Sequence, residues 1–110
     1  MKRRNLLALP ALAALPVHAQ PVWPERPVRV VSPFAAGSSA DLLARLYAQA
    51  FQARFGQPFT VENIPGGSGV IGASAVRNAA ADGHTLMLAS ASTLAANAFL
   101  LRSIPYDAAA

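Results

Sequence analysis

Valine-rich, proline-bounded segments alternate along this chain with segments of helical period, and that alternation restricts the fold more than any other feature. Pro27 to Phe34 (PVRVVSPF) reads as a short strand because it is rich in β-branched valine and flanked by proline. Ser39 to Phe55 spaces Leu42, Leu43, Leu46, Tyr47, Ala50, Phe51 and Phe55 at a helical period. A helix is expected there with that side buried and with Arg45, Gln49, Gln52 and Arg54 toward water. Ser38 or Ser39 can cap it, Asp41 suits its first turn, and Gly56 stands just past its end. A second strand is expected over Pro58 to Glu62, followed by the loop Asn63 to Gly69. Asn63 reads as a turn residue. A shorter alanine-rich helix should run from about Val70 to Ala80 and stop near the turn-forming Asp82-Gly83. His84 to Ala89 reads as a third, buried strand, Ser90 to Thr93 as a polar stretch, and Ala95 to Leu101 as the start of another helix. Strands and helices in this order imply βαβ units, hence an α/β fold on a parallel sheet.

The first nineteen residues stand apart from that pattern. Lys2, Arg3 and Arg4 precede an apolar run from Leu6 to Leu15 that only Pro10 interrupts. Val17-His18-Ala19 then fits the small-x-small pattern of a signal peptidase site, which would leave Gln20 as the new N-terminus. The run is about ten residues, short of the ~20 that a membrane span needs. The expectation is a signal peptide over residues 1–19, cleavage after Ala19, a periplasmic location and no membrane span of the processed chain. Arg3-Arg4 before Asn5-Leu6-Leu7 leaves twin-arginine export open beside the general secretory route. A buried N-terminal helix would have to accommodate three cations and two prolines in its first sixteen residues.

Export changes the meaning of the charge. The chain of 110 residues carries a net charge of +4, but Lys2, Arg3 and Arg4 supply three of those charges. What remains is six arginines (Arg26, Arg29, Arg45, Arg54, Arg77, Arg102) against five acids, with no lysine. The arginines are scattered singly, so nucleic acid loses its electrostatic case. The absence of cysteine removes disulfides, thiolate metal sites and cysteine nucleophiles. Hydrophobic residues make up 54% of the chain, too many for intrinsic disorder, and the length allows one domain at most.

In an open parallel sheet, ligands bind beyond the carboxyl ends of the strands. Here those ends carry Phe34-Ala35-Ala36-Gly37-Ser38-Ser39, then Pro65-Gly66-Gly67-Ser68-Gly69, then Ser90-Ala91-Ser92-Thr93. Small-residue turns entering helices expose backbone N–H groups where the helix dipole favours an anion. Without lysine, the anion that suits amides and hydroxyls is a carboxylate. Each loop alone has a plainer explanation, since glycines turn chains, serines cap helices, and an acid such as Asp41 is stabilised in a first turn. Three such loops at one sheet edge exceed what turn geometry requires.

Gly67-Ser68-Gly69-Val70-Ile71-Gly72 fits the dinucleotide pattern G-x-G-x-x-G. The ribose-binding acid that should close the next strand is missing from Leu88-Ala89-Ser90-Ala91. A phosphate-cradling Walker loop would need a lysine. His84 reads as a surface or edge residue, the five acids form no close pair for acid–base work, and metal-ligand spacing is lacking. These residues favour a binding module over an enzyme, with no cofactor and no metal. A small α/β nucleotide-binding or enzyme domain using Gly67 to Gly72 is the alternative.

The segment PVWPERPVRVVSPFAAGSSADLLAR resembles the opening of tripartite tricarboxylate transporter substrate-binding proteins, the Bug family of periplasmic solute receptors. VENIPGGSGVIGASAV is similar to that family's Val-Glu-Asn-Arg-Pro-Gly-Ala-Gly-Gly-x-Ile-Gly. The likeness continues through Ala81-Asp82-Gly83-His84-Thr85-Leu86 to Ile104-Pro105-Tyr106-Asp107. The resemblance implies part of the first lobe of a class II periplasmic binding protein, in which two α/β lobes close on a small carboxylate. It implies ligand-binding residues Phe34, Gly37, Ser38, Ser39 and Asp41 in the first loop, Gly66, Gly67, Ser68 and Gly69 in the second, and Ser90 and Ser92 in the third. The implied ligand is a di- or tricarboxylate, an aromatic carboxylate or an acidic amino acid, and the implied partners are membrane permease subunits. Three departures bear on this. Ser38 stands where the family usually has glycine, Ile64 replaces a common arginine and Ser68 a common glycine. Family members also continue into a second lobe, so the 110 residues are expected to be a fragment that binds carboxylates weakly or not at all alone. A non-functional remnant of an interrupted gene is the other expectation consistent with that length.

Overall fold

A computed structural model describes Pro16 and residues 19–109, so the expected export signal lies outside the described residues apart from Pro16 and Ala19. Three parallel strands form the sheet: β1 (Val28–Ser32), β2 (Phe59–Asn63) and β3 (Thr85–Met87) in the order β2-β1-β3. Val30 of the central strand lies opposite Val61 on one side and Leu86 on the other. Helix α1 (Ser39–Phe55) connects β1 to β2, and α2 (Val70–Arg77), entered through a 3-10 turn at Gly67–Gly69, connects β2 to β3. A π-helical turn, Ser92–Ala96, and the short α3, Asn97–Leu100, follow the third strand. The α/β reading, with βαβ units on a parallel sheet, is the fold observed.

Local chemistry explains the bounds of α1. Ser38 Oγ accepts from the Asp41 amide at 3.2 Å, which makes Ser38 the N-cap, and Gly56 ends the helix in the left-handed region at φ 76°. The face of α1 is another matter. Its buried residues are Asp41, Ala44 and Ala48, whereas Leu42, Leu43, Leu46, Tyr47, Phe51 and Phe55 are exposed among the described residues. The expectation that this large apolar set packs inward is corrected. Small residues at a spacing of three and four let the helix axis approach the sheet closely, and larger side chains would hold it away.

The core on that side unites Val28, Val30, Ala48 and Phe59, with Val61 and Leu86 packed against them. Val31 points the other way and is fully buried. On its side α2 contributes buried Gly72 and Ala73. Burial of each such valine stabilises by roughly 1.5–3 kcal/mol. At the amino ends of the strands, Trp23 packs edge-on against Phe55 and Phe59, with ring centroids 5.4 and 6.2 Å away. Its Nε1 donates to the Gly83 carbonyl at 3.1 Å, and Arg26 pairs with Asp82. His84 belongs to this end, just before the edge strand β3, and of its two expected positions, surface or edge, the surface one is corrected: it is buried, with Trp23 packed beside it.

Candidate functional site

The three predicted loops leave the carboxyl edge of the same sheet, and the chain ties them together there. Asn63 closes β2 rather than opening a loop, and its Nδ2 reaches across to the Phe34 carbonyl of the first loop at 3.2 Å. Asn97 of α3 donates to the Ser68 carbonyl of the second loop at 3.0 Å. Gly69 is buried between the second and third loops. A Cβ placed on it would stand 2.4 Å from Thr93 Cγ2, and its φ of 88° suits glycine. Tyr106 braces the third loop by donating from its hydroxyl to the Thr93 carbonyl at 2.7 Å.

In the first loop, Asp41 is buried and its carboxylate is fully engaged. Oδ2 accepts from the Gly37 amide at 2.9 Å and from Arg45 Nε at 3.1 Å, while Oδ1 accepts from Asn63 Nδ2 at 2.8 Å. Those bonds, the Gly37 amide first, then Asn63 and Arg45, hold the carboxyl well below its ordinary value, at about 2. Gly37 takes φ 82° at the turn. Among the described residues, no hydrogen bond ends at the amides of Ser39 and Ala40, the first two of α1, which stay available as donors. The Ser38 hydroxyl accepts from Asp41 and keeps its own proton free to donate. Phe34 is half-buried at the start of this loop and Ser39 is exposed.

In the second loop Gly66, Gly67 and Ser68 are exposed, with φ values of 121°, 57° and 56°. Serine in the left-handed region is uncommon, and here its carbonyl is fixed by Asn97. Gly72, the last glycine of the G-x-G-x-x-G spacing, lies against Ile64 and Pro33, where a Cβ would fall within 3.0 Å of either. Contacts within the chain thus give both Gly69 and Gly72 a packing role. In the third loop Ser90 and Ser92 join their hydroxyls at 2.6 Å, and Thr93 Oγ1 accepts from the Ser90 amide at 3.0 Å.

Sequence reasoning named the loops but missed Asn63, Arg45, Thr93, Asn97 and Tyr106 as the residues that join them. Only Arg45 carried a local signal, since it stands four residues after Asp41 on one helix face. The grooves that flank α1 lie elsewhere. One is lined by residues such as Gln49, Gln52 and Thr60, the other by Tyr47, Phe51 and Leu88, and neither includes a predicted loop residue.

The comparisons with known proteins agree with this architecture. BugT of Bordetella pertussis is 46% identical over 94 residues, covering 84% of this chain and 28% of BugT. The solved structure of MatC from Rhodopseudomonas palustris with bound malate matches at 38% identity and a TM-score of 0.75, over 78% of this chain and 29% of that one. An R. palustris protein solved with adipate matches at 40% identity and a TM-score of 0.76, over 79% and 29%. The chain spans between about a quarter and a third of the length of the curated relatives it matches. Residues 43–110 match the family described as the tripartite tricarboxylate transporter family receptor, and the chain belongs to that family.

Proposed function

We propose that this chain forms the carboxylate-gripping part of a periplasmic solute receptor serving a tripartite tricarboxylate transporter. Residues 1–19 are its export signal, with cleavage after Ala19. The ligand carboxylate meets the amides of Ser39 and Ala40 and the hydroxyl of Ser38. It is flanked by Phe34, by the exposed backbone of Gly66, Gly67 and Ser68, and by the hydroxyls of Ser90 and Ser92. Gly37, Asp41 and Gly69 act from behind, the first two by shaping the first loop and the last by seating the second against the third. The observation that carries this reading is the set of unspent donors on the first turn of α1, at the carboxyl edge of the sheet, and the relatives solved with malate and with adipate support a carboxylate as the ligand.

Physically, α1 directs its positive end at this edge, and charged hydrogen bonds from amides hold a carboxylate well once water is excluded. An open edge leaves the anion in competition with water, so the 110-residue chain is predicted to bind in a weak, roughly millimolar range, about 4 kcal/mol. Titration with malate and adipate, followed by amide NMR, tests this. Saturable shifts at Ser38–Ala40, Gly66–Ser68 and Ser90–Ser92, absent with the corresponding dimethyl esters, are expected. Shifts confined to the grooves beside α1, or none at all, would sink the reading. The intact mass of the periplasmic product tests export, Gln20 being the expected first residue.

A further inference from the structure

Asn63 sits at a position from which it governs the first loop without belonging to it. It is the last residue of β2 and lies on the strand face shared by Phe59 and Val61, the face that α1 covers. Its carboxamide makes three hydrogen bonds. Nδ2 donates to the Phe34 carbonyl at 3.2 Å and to Asp41 Oδ1 at 2.8 Å, and Oδ1 accepts from Arg45 Nη2 at 3.2 Å. Asp41 in turn accepts the Gly37 amide. The loop from Phe34 to Gly37 is therefore held at both ends by one side-chain pair. Its beginning hangs on Asn63 and its end on Asp41, which Asn63 itself orients.

We propose that Asn63 is a positioning residue for carboxylate binding, acting through Asp41 and the Phe34 carbonyl to decide which donors of the first loop face outward. The inference rests on the carboxylate reading above and adds to it a residue outside the three loops. By fixing Asp41, Asn63 turns the Gly37 amide inward and leaves Ser38, Ser39 and Ala40 as the outward donors. It also helps Arg45 neutralise a buried carboxylate one turn from where an anion would bind. Unscreened, that negative charge would oppose the ligand. Arg45 is the charged side chain that faces Asp41 among the described residues.

Serine replaces the carboxamide only in part, and aspartate not at all. The site needs two donors and one acceptor on one planar group, and serine offers a single donor on a shorter arm. Aspartate would set a second carboxylate against Asp41 and offer no donor while ionised.

The test compares the full chain with its Asn63→Ala variant in three readouts. Hydrogen exchange at the Gly37 amide should accelerate at least about tenfold, the loss of one bond to a charged acceptor. The Asp41 carboxyl, followed by NMR titration, should move upward from its low value by about one pH unit. Malate binding should weaken about fivefold to tenfold. If Asn63→Ala fails to fold, Asn63→Ser, which keeps one donor, should show the same changes at smaller size. Unchanged Gly37 exchange and an unchanged Asp41 titration would overturn the proposal, as would changes in both with malate affinity intact. Loss of malate binding in the parent chain itself would instead overturn the carboxylate reading. The exchange and titration results would then still decide whether Asn63 holds the loop.

Discussion

A carboxylate with three hydrogen-bond donors around it is the residue-scale centre of this structure. Asp41 titrates at about 2 in the fold against an ordinary 3.8, so its contribution to stability is complete above pH 3.8 and disappears as the pH falls toward 2. An acid-unfolding curve should therefore steepen in that window, and Asp41→Asn should flatten it. An identical curve for the variant would show that the three donors stabilise nothing. Ser38→Ala removes the N-cap acceptor and should cost about 1 kcal/mol in urea unfolding. The cap and the first-turn acid were legible in the sequence because Gly37, Ser38 and Arg45, which meet Asp41, lie within four residues of it. Asn63 was not. Its partners Phe34 and Asp41 are 29 and 22 residues away, and nothing local distinguishes an asparagine that ends a strand from one that opens a turn.

At the scale of elements, the bounds of α1 were legible and its packing face was not. Capping serine and terminal glycine are local signals, whereas hydropathy gives weight to large side chains when the sheet in fact selects small ones. Ala44 and Ala48 are 1% and 4% exposed, so Ala48→Leu should destabilise by about 1–3 kcal/mol through overpacking. Leu42→Gln should stay within about 0.5 kcal/mol. The opposite ranking in thermal denaturation would restore the face expected from the sequence. Gly69→Ala is predicted to cost about 1–3 kcal/mol as well, since its Cβ would meet Thr93. The glycine loop was legible as a loop. That two of its glycines serve contacts with Thr93, Pro33 and Ile64 depends on elements far apart in the chain.

The whole molecule presents two faces of different character. Large apolar side chains along α1 and at Phe99 and Leu100 lie exposed, and the edge of β3 beyond Leu86 borders an apolar groove. Strong fluorescence enhancement of an apolar dye by the folded chain follows from that surface. A response no greater than that of an ordinary compact domain would show the surface to be covered in solution. At the carboxyl edge of the sheet, by contrast, the exposed groups are amides and hydroxyls. The claim that these grip a carboxylate through the backbone is tested most directly by Ser39→Pro. Ser39 is the first helical residue, where proline fits, and Ser38 before it already has the extended ψ of 163° that proline requires. The substitution deletes one N–H donor and leaves the helix intact, and Ser39→Ala serves as the control that keeps the donor. The account predicts unchanged thermal stability for both variants, with malate affinity at least about tenfold lower for Ser39→Pro alone. Equal affinity in the folded Ser39→Pro chain would contradict it.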